Sequence, residues 1–213
     1  MESRSRVLLV ELVVLCFLAS TMSASTLAGG EYQFTMSLES QESQPDSYFG
    51  FPVDISEDIM AIGESWVKVE GLYRAGKVHV YDLDGNLKET LHSPAPEISG
   101  QFGRRMVVRG DILLIGERYA DVGDVANAGR AYIYNSEGSL QATIQSPTPS
   151  PDGVFGWSLC ISGDTIVVCE PGVNVEGKSN AGMVHLYDFD GNFLESLQSP
   201  EPSAAVYFGD PLD

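Results

Sequence analysis

Residues 102–153 read FGRRMVVRGDILLIGERYADVGDVANAGRAYIYNSEGSLQATIQSPTPSPDG. The stretch runs Phe-Gly, a strand pattern, Gly-Asp, a second strand, a long loop, Ala-Gly, a third strand, a Gly turn, a fourth strand and Ser-Pro-Thr-Pro. The same order stands on both sides of it. Phe-Gly begins at positions 49, 102, 155 and 208, a constant step of 53 residues. Ala-Gly at 75, 128 and 181, the tyrosines Tyr81, Tyr134 and Tyr187, and Ser-Pro at 93, 146 and 199 keep the same step. Self-similarity at a fixed period of this length marks a repeated supersecondary unit.

Each unit predicts four short strands. In the first, Val53 and Ile55, Met106 and Val108, or Leu159 and Ile161 share one face, the alternation of a strand with one well-buried side. The second strand is apolar on both faces at 59–62, 112–115 and 165–168, as a strand covered from both sides must be. Glu57-Asp58, Gly110-Asp111 and Gly163-Asp164 join these two as tight hairpins. The third strand ends at the recurrent Tyr. Asp84-Gly85, Glu137-Gly138 and Asp190-Gly191 then turn the chain into an alternating fourth strand. Proline, which cannot donate to a ladder, ends it.

Four antiparallel strands per unit describe a propeller blade, and a blade apolar on both faces must stack on its neighbours. The expected fold is all-β: an incomplete β-propeller, an arc of about three four-stranded blades at 49–100, 102–153 and 155–206, with partial blades at both ends. Phe34, Leu38 and Ser40 fall one period before Leu87, Leu91 and Ser93. Residues 29–48 are therefore expected to hold an isolated fourth strand over Gln33–Ser40 and a linker, and 207–213 to begin a further blade. Propellers close with about 4–8 blades, so the chain reads as a piece of a longer protein.

Apolar residues make up 43% of the 213, enough for a real core, and the net charge is −18. Such a field repels phosphate backbones and anionic membrane surfaces, which excludes nucleic acid as a partner class. Residues 1–28 carry Arg4 and Arg6, an apolar run from Val7 to Leu18, and small residues after it, the layout of a secretory signal peptide. The run is too short to span a bilayer, so a secreted or cell-surface location with no stable membrane span is expected. A Gly163-Asp164 turn pairs Cys160 with Val167 and leaves Cys169 a diagonal neighbour, about 7–8 Å away. That lies beyond easy disulfide reach, so both thiols are expected to pack as small apolar side chains.

The order Phe-Gly, apolar strand, Gly-Asp, apolar strand, long loop, Ala-Gly, strand ending in Tyr resembles the FG-GAP repeat of integrin α heads and many secreted proteins. The resemblance covers about 49–213. The name-giving Gly-Ala-Pro is degraded to Gly63-Glu64-Ser65, Gly116-Glu117-Arg118 and Cys169-Glu170-Pro171, with Glu in place of Ala each time. The resemblance implies a propeller whose loops bind a protein or glycan partner, and it raises calcium as a cofactor. No loop here has the Asp-x-Asp-x-Asp-Gly form; the nearest approach is Asp121, Asp124 and Asn127 in the second loop. Calcium wants six to eight converging oxygens, which these spacings do not promise, so no metal or other cofactor is expected.

No phosphate loop, zinc spacing or nucleophile elbow is present. His79 and His185 occupy equivalent positions where the middle unit has Tyr132, a pattern of packing sites rather than catalytic ones. Trp66 and Tyr119, each early in a long loop, are the candidate ligand-binding aromatics. The expected function is a non-catalytic secreted or surface binding or adhesion module. The alternatives are a structural envelope or spacer repeat, and a fragment of a propeller-type extracellular hydrolase.

Overall fold

The structure, a computed structural model, describes residues 34–42 and 44–212; the signal-peptide reading over 1–28 lies outside them. Three four-stranded antiparallel sheets make up the described residues, with no helix among them. The first blade is β1 (Phe49–Ile55), β2 (Ile59–Glu64), β3 (Lys77–Asp82) and β4 (Leu87–His92). The second is β5 (Arg105–Arg109), β6 (Ile112–Glu117), β7 (Arg130–Asn135) and β8 (Leu140–Ile144). The third is β9 (Leu159–Ser162), β10 (Thr165–Glu170), β11 (Met183–Tyr187) and β12 (Phe193–Gln198). Each is a meander in chain order. The first strands of successive blades stand side by side: Val108 N donates to Asp54 Oδ2 at 2.7 Å, and Arg109 Nη1 to Ile161 O at 2.8 Å. The fold is an incomplete β-propeller, an arc of three blades. No helix among the described residues is long and apolar enough to cross a membrane.

The core lies between sheets rather than within one. Ile59, Ala61, Val78, Val80 and Leu91 of the first blade pack on Met106, Val108, Leu113, Ile115, Tyr132 and Tyr134 of the second. Leu114, Ala131, Ile133 and Ile144 on the second blade's other face pack on Leu159, Ile161, Ile166, Val168 and Tyr187 of the third. This is why the second strands are apolar on both sides. Each fully buried aliphatic or aromatic side chain there contributes about 1.5–3 kcal/mol.

The recurrent dipeptides form the joints. The N–H of Phe102 donates to Ala75 O at 2.8 Å, that of Phe155 to Ala128 O at 2.8 Å, and that of Phe208 to Ala181 O at 2.9 Å. Each Phe-Gly thus docks on the Ala-Gly of the blade before it. The glycine next in line, Gly103 or Gly156, donates back to its own second strand, at Gly116 O or Cys169 O. Phe102 and Phe155 are fully buried at these joints. Cys169 stands where the other blades have Gly63 and Gly116. Its thiol packs on Gly209, and burial, with Asp210 and Glu170 adding to it, pushes the thiol up to about 12. Cys160 and Cys169 are free thiols, and Cys160 pairs across the hairpin with Val167 as expected.

The turn between third and fourth strands rests on the preceding blade. A Cβ at Gly138 would meet Glu89 and Leu91, and one at Gly191 would meet Ala142 and Ile144. At Gly85 the same place is taken by Met36 and Leu38, one period before Glu89 and Leu91. The expected strand over Gln33–Ser40 is nevertheless not formed: residues 34–40 carry no strand. A strand is defined by its ladder, and no third strand stands beside this segment among the described residues.

A Cβ at Gly129, where φ is +85°, would stand 2.5 Å from Phe155 N and closer still to Phe155 O. At Gly123, where φ is +61°, nothing lies within 4 Å. Gly123→Ala should therefore cost only the left-handed strain, about 1–2 kcal/mol. Gly129→Ala must also push two blades apart and should cost at least about 3 kcal/mol. Urea denaturation of the two variants measures this; equal midpoints would refute the joint.

Candidate functional site

Two features go beyond packing: a buried carboxylate in every blade, and a belt of arginines and aromatics on one rim. The last residue of each second strand is a glutamate, Glu64, Glu117 or Glu170, each with 0% exposure. These are the residues that replace Ala in the degraded Gly-Ala-Pro. Glu64 Oε2 meets His79 Nε2 at 2.8 Å and its Oε1 accepts from Ser40 Oγ at 3.0 Å. Glu117 Oε2 accepts from Tyr132 OH at 2.6 Å and Ser93 Oγ at 2.7 Å. Glu170 Oε2 meets His185 Nε2 at 2.8 Å. Oε1 of Glu117 and of Glu170 has no partner and lies against Gly100 or Gly153, where a Cβ would collide with it. Burial, outweighing the Tyr132 and Ser93 hydrogen bonds, raises the Glu117 carboxyl above the usual carboxylate range.

The third blade continues this pair outward, since His185 Nδ1 lies 2.8 Å from Ser196 Oγ. Ser196, His185 and Glu170 thus stand in the order of a nucleophile, a base and an acid. The first blade repeats the order with Thr90, His79 and Glu64, where His79 Nδ1 lies 3.2 Å from Thr90 Oγ1. In the second, Tyr132 takes the place of His, its hydroxyl pushed up by burial and by Glu117. His79 and Thr90 are direct cross-strand partners, as are His185 and Ser196, and His185 is fully buried. The arrangement is copied in strand register, and in the middle blade Tyr stands in place of its base.

The rim follows from strand register. Phe49 pairs with Glu64, and Lys77 with both Glu64 and His92. The starts of first strands, the loops between second and third strands and the inter-blade connections therefore share one end of the arc. Each of those loops closes on a small bridge, Val69 with Leu72, Val122 with Val125, and Val175 with Lys178.

On this rim Arg74 lies over the Trp66 ring at 4.0 Å and near Tyr73 at 5.1 Å, and Tyr48 stands 4.4 Å from Trp66. Arg104 of the second blade lies over Phe51 of the first at 4.3 Å. Arg118 of the second lies over Trp157 of the third at 4.3 Å and near Tyr119 at 4.9 Å. Gln101 Oε1 holds Arg118 by two hydrogen bonds, 3.1 and 2.7 Å. Arg105, opposite Gly116 at the start of β5, completes the cluster. Burial lowers the Arg104 and Arg118 guanidiniums from their ordinary value, and neighbouring arginines lower them further. Arg104 Nε and Nη1 and Arg74 Nε are shut from solvent without a hydrogen-bond partner. In a chain of net charge −18, ion pairs go to Lys77, Lys88 and Arg130. None goes to Arg74, Arg104, Arg105 or Arg118 among the described residues.

Trp66 and Tyr119, the aromatics singled out from the sequence, both stand in this belt. Its arginines, with Tyr48, Phe51 and Trp157, carry no motif. A signal exists all the same: positions 51, 104 and 157, one period apart, hold Phe, Arg and Trp, large side chains of unlike chemistry at one structural place. The calcium candidates do not converge. Asp121 Oδ1 accepts from Asn127 N at 2.8 Å, and the Asn127 amide donates to Asp152 Oδ1 at 2.8 Å. Asp124 sits in the turn of the small bridge. In the third loop the neutral Asn174 accepts from Asn180 N in the same way at 3.0 Å. Asp121 is thus a loop brace and the residues do not fit a calcium loop. Among the described residues no three or more His, Cys, Asp or Glu are grouped to hold a metal.

No family model and no curated protein matches this sequence. Among solved structures, BamB from Moraxella catarrhalis aligns at a TM-score of 0.43 and 13% identity, over 70% of this chain and 37% of that one. A protein of unknown function from Bacteroides caccae aligns at 0.40 and 11%, over 68% and 44%. The chain thus spans less than half the length of either.

Two outcomes test the buried pairs. His185→Tyr imitates the second blade and should be tolerated. His185→Leu leaves the Glu170 carboxylate unpartnered and should cost about 3–5 kcal/mol in chemical denaturation; equal losses would contradict the pairing. A carboxyl raised on folding binds its proton more tightly in the folded state. Its contribution is therefore present below the ordinary carboxylate value and lost as pH rises through the raised one. The stability difference between wild type and Glu117→Gln should move toward wild type as pH falls from neutral to about 4.3. A pH-independent difference would show that Glu117 does not titrate this way.

Proposed function

We propose that this chain is a secreted or cell-surface binding module, an FG-GAP-like propeller arc that presents its loop rim to a macromolecular partner and performs no chemistry. The arginine–aromatic belt carries this reading. Ion pairs of the described chain go to other cations, so the charge of these guanidiniums is left for an incoming acceptor. Aromatic and arginine side chains are the types enriched at binding hot spots. The belt sits on loops and strand starts of a sheet scaffold, where binding residues concentrate. The extracellular placement rests on the basic, apolar and small-residue layout of residues 1–28 and on the acidic surface, which favours solubility.

Arrays of extracellular glycans and proteins, probed with the labelled full chain, test the reading. Trp66→Ala with Tyr119→Ala should lower the retained signals about tenfold, a loss of about 1.4 kcal/mol. Lys88→Gln with Arg109→Gln, at the opposite end of the strands, should leave them unchanged. Signals indifferent to the rim pair and sensitive to the opposite pair would overturn the assignment. Circular dichroism of each variant confirms that the sheets remain folded.

A further inference from the structure

We propose that the belt is a docking strip for an acidic polypeptide segment, one in which Asp or Glu alternates with apolar side chains. The inference rests on the binding-module reading and specifies its partner. Three observations select this chemistry.

The first is the guanidiniums. Arg74, Arg104 and Arg118 stand over Trp66, Phe51 and Trp157, the guanidinium carbon 4.0–4.3 Å from the ring centre. A guanidinium held over a ring can turn its remaining N–H groups to a facing carboxylate; in Arg118 Gln101 already takes Nε and Nη2. Arg104 Nε and Nη1 are closed to solvent, so a carboxylate meets the cluster at its outer N–H groups; no carboxylate of the described chain comes to any of the cluster's arginines.

The second is the apolar surface between them. Tyr48, Phe51 and Tyr73 are 50%, 46% and 50% exposed. Phe51 has no polar handle, so apolar contact is what it offers. A sugar-binding platform presents bare ring faces. Here guanidiniums already cover a face of Trp66, of Phe51 and of Trp157, so the remaining apolar area suits aliphatic or aromatic side chains of a peptide.

The third is layout. The belt runs from Trp66 and Arg74 on the first blade, through Arg104, Arg105 and Arg118 on the second, to Trp157 on the third. A strip crossing three blades fits an extended segment better than one point-like anion. The surrounding field of −18 repels acidic chains elsewhere on the surface. That confines them to this patch, where short-range pairing with the arginines has to outweigh the overall repulsion.

The chain has two tryptophans, and both, Trp66 and Trp157, lie in the belt. Tryptophan emission of the unmodified full chain therefore reports occupancy directly, whether or not any variant folds. The probe is a synthetic peptide alternating Asp and Glu with Leu and Phe; polygalacturonate is the glycan comparison. The expected result is a saturable emission change with the peptide. Arg104→Gln with Arg118→Gln should weaken binding at least about tenfold. Arg104→Lys with Arg118→Lys, which keeps charge and loses the guanidinium N–H groups, should lose part of it. Lys88→Gln with Arg109→Gln, which removes equal charge from the far end, should change it little. Absence of a saturable response, equal loss in the two Gln pairs, or full binding by the Lys pair would overturn the inference. Polygalacturonate binding as tightly, with the same arginine dependence, would overturn it too. A glycan found on the arrays and lost with Trp66 and Tyr119, with no peptide response, would leave the rim reading standing and sink only the acidic-peptide assignment.

Discussion

The structure depends on one repeated joint: the backbone of a Phe-Gly held by the Ala-Gly of the blade before it. A four-stranded sheet that is apolar on both faces has no stable existence in water by itself. The Phe102–Ala75 and Phe155–Ala128 hydrogen bonds set the distance at which neighbouring sheets cover one another. The side chains that fill the gap then follow from strand alternation. Because the joint consists of backbone against backbone, it tolerates no Cβ at Gly76 or Gly129, where one would run into Phe102 or Phe155. The period of 53 residues is thus the chain length from one joint to the next, and the glycines mark where two blades touch.

Within each blade a second constraint works against stability. A carboxylate excluded from water is costly unless its lone pairs are met, yet Glu64, Glu117 and Glu170 all end buried strands. Each is answered from the adjacent third strand, by His in the outer blades and by Tyr in the middle one. The partner must sit at one register position and reach one depth, and an aromatic ring with a polar tip meets both requirements. A one-residue slip of the third strand would turn that ring to the other face and leave the carboxylate bare. In this way the pair ties the register of the second strand to that of the third, while the apolar side chains alone would accept several packings.

The strands, the hairpins and the blade limits were legible because they repeat. Three copies of Gly-Asp, Ala-Gly and Ser-Pro average out the ambiguity of any single copy. Gln33–Ser40 misled for the same reason: its residues match the repeat, but sequence phase cannot supply the neighbouring strand whose ladder would make it a strand. Trp66 and Tyr119 were visible as aromatics at the heads of loops. Arg104 and Arg118 were not, because each looks like an ordinary surface cation in a strand or loop. Their meaning arises only when Phe51 and Trp157, 53 residues away in either direction from position 104, are brought beside them by blade stacking. The buried glutamates were visible as residues and misread as decay of a motif, since nothing in a linear reading shows that His79, Tyr132 and His185 point at them.

The belt also explains why arginine, and not lysine, stands at these positions. A half-buried ammonium would be strongly hydrated and would lose its charge or its burial. A guanidinium sheds water more easily, lies flat on a ring, and gains about 0.5–2 kcal/mol from the ring's electron-rich face. Phe51, Trp66 and Trp157 therefore act as supports that hold positive charge at the rim of a strongly negative molecule. The chain's own acids could have neutralised that charge, as Glu42, Glu97 and Glu137 do for Lys77, Arg130 and Lys88. They do not reach it, because the inward-turned Glu64, Glu117 and Glu170 point into the blades and the loop braces such as Asp121 point along their own loops. Blade geometry thus separates the two signs of charge. It leaves on one rim a cationic surface that no carboxylate of the described chain neutralises.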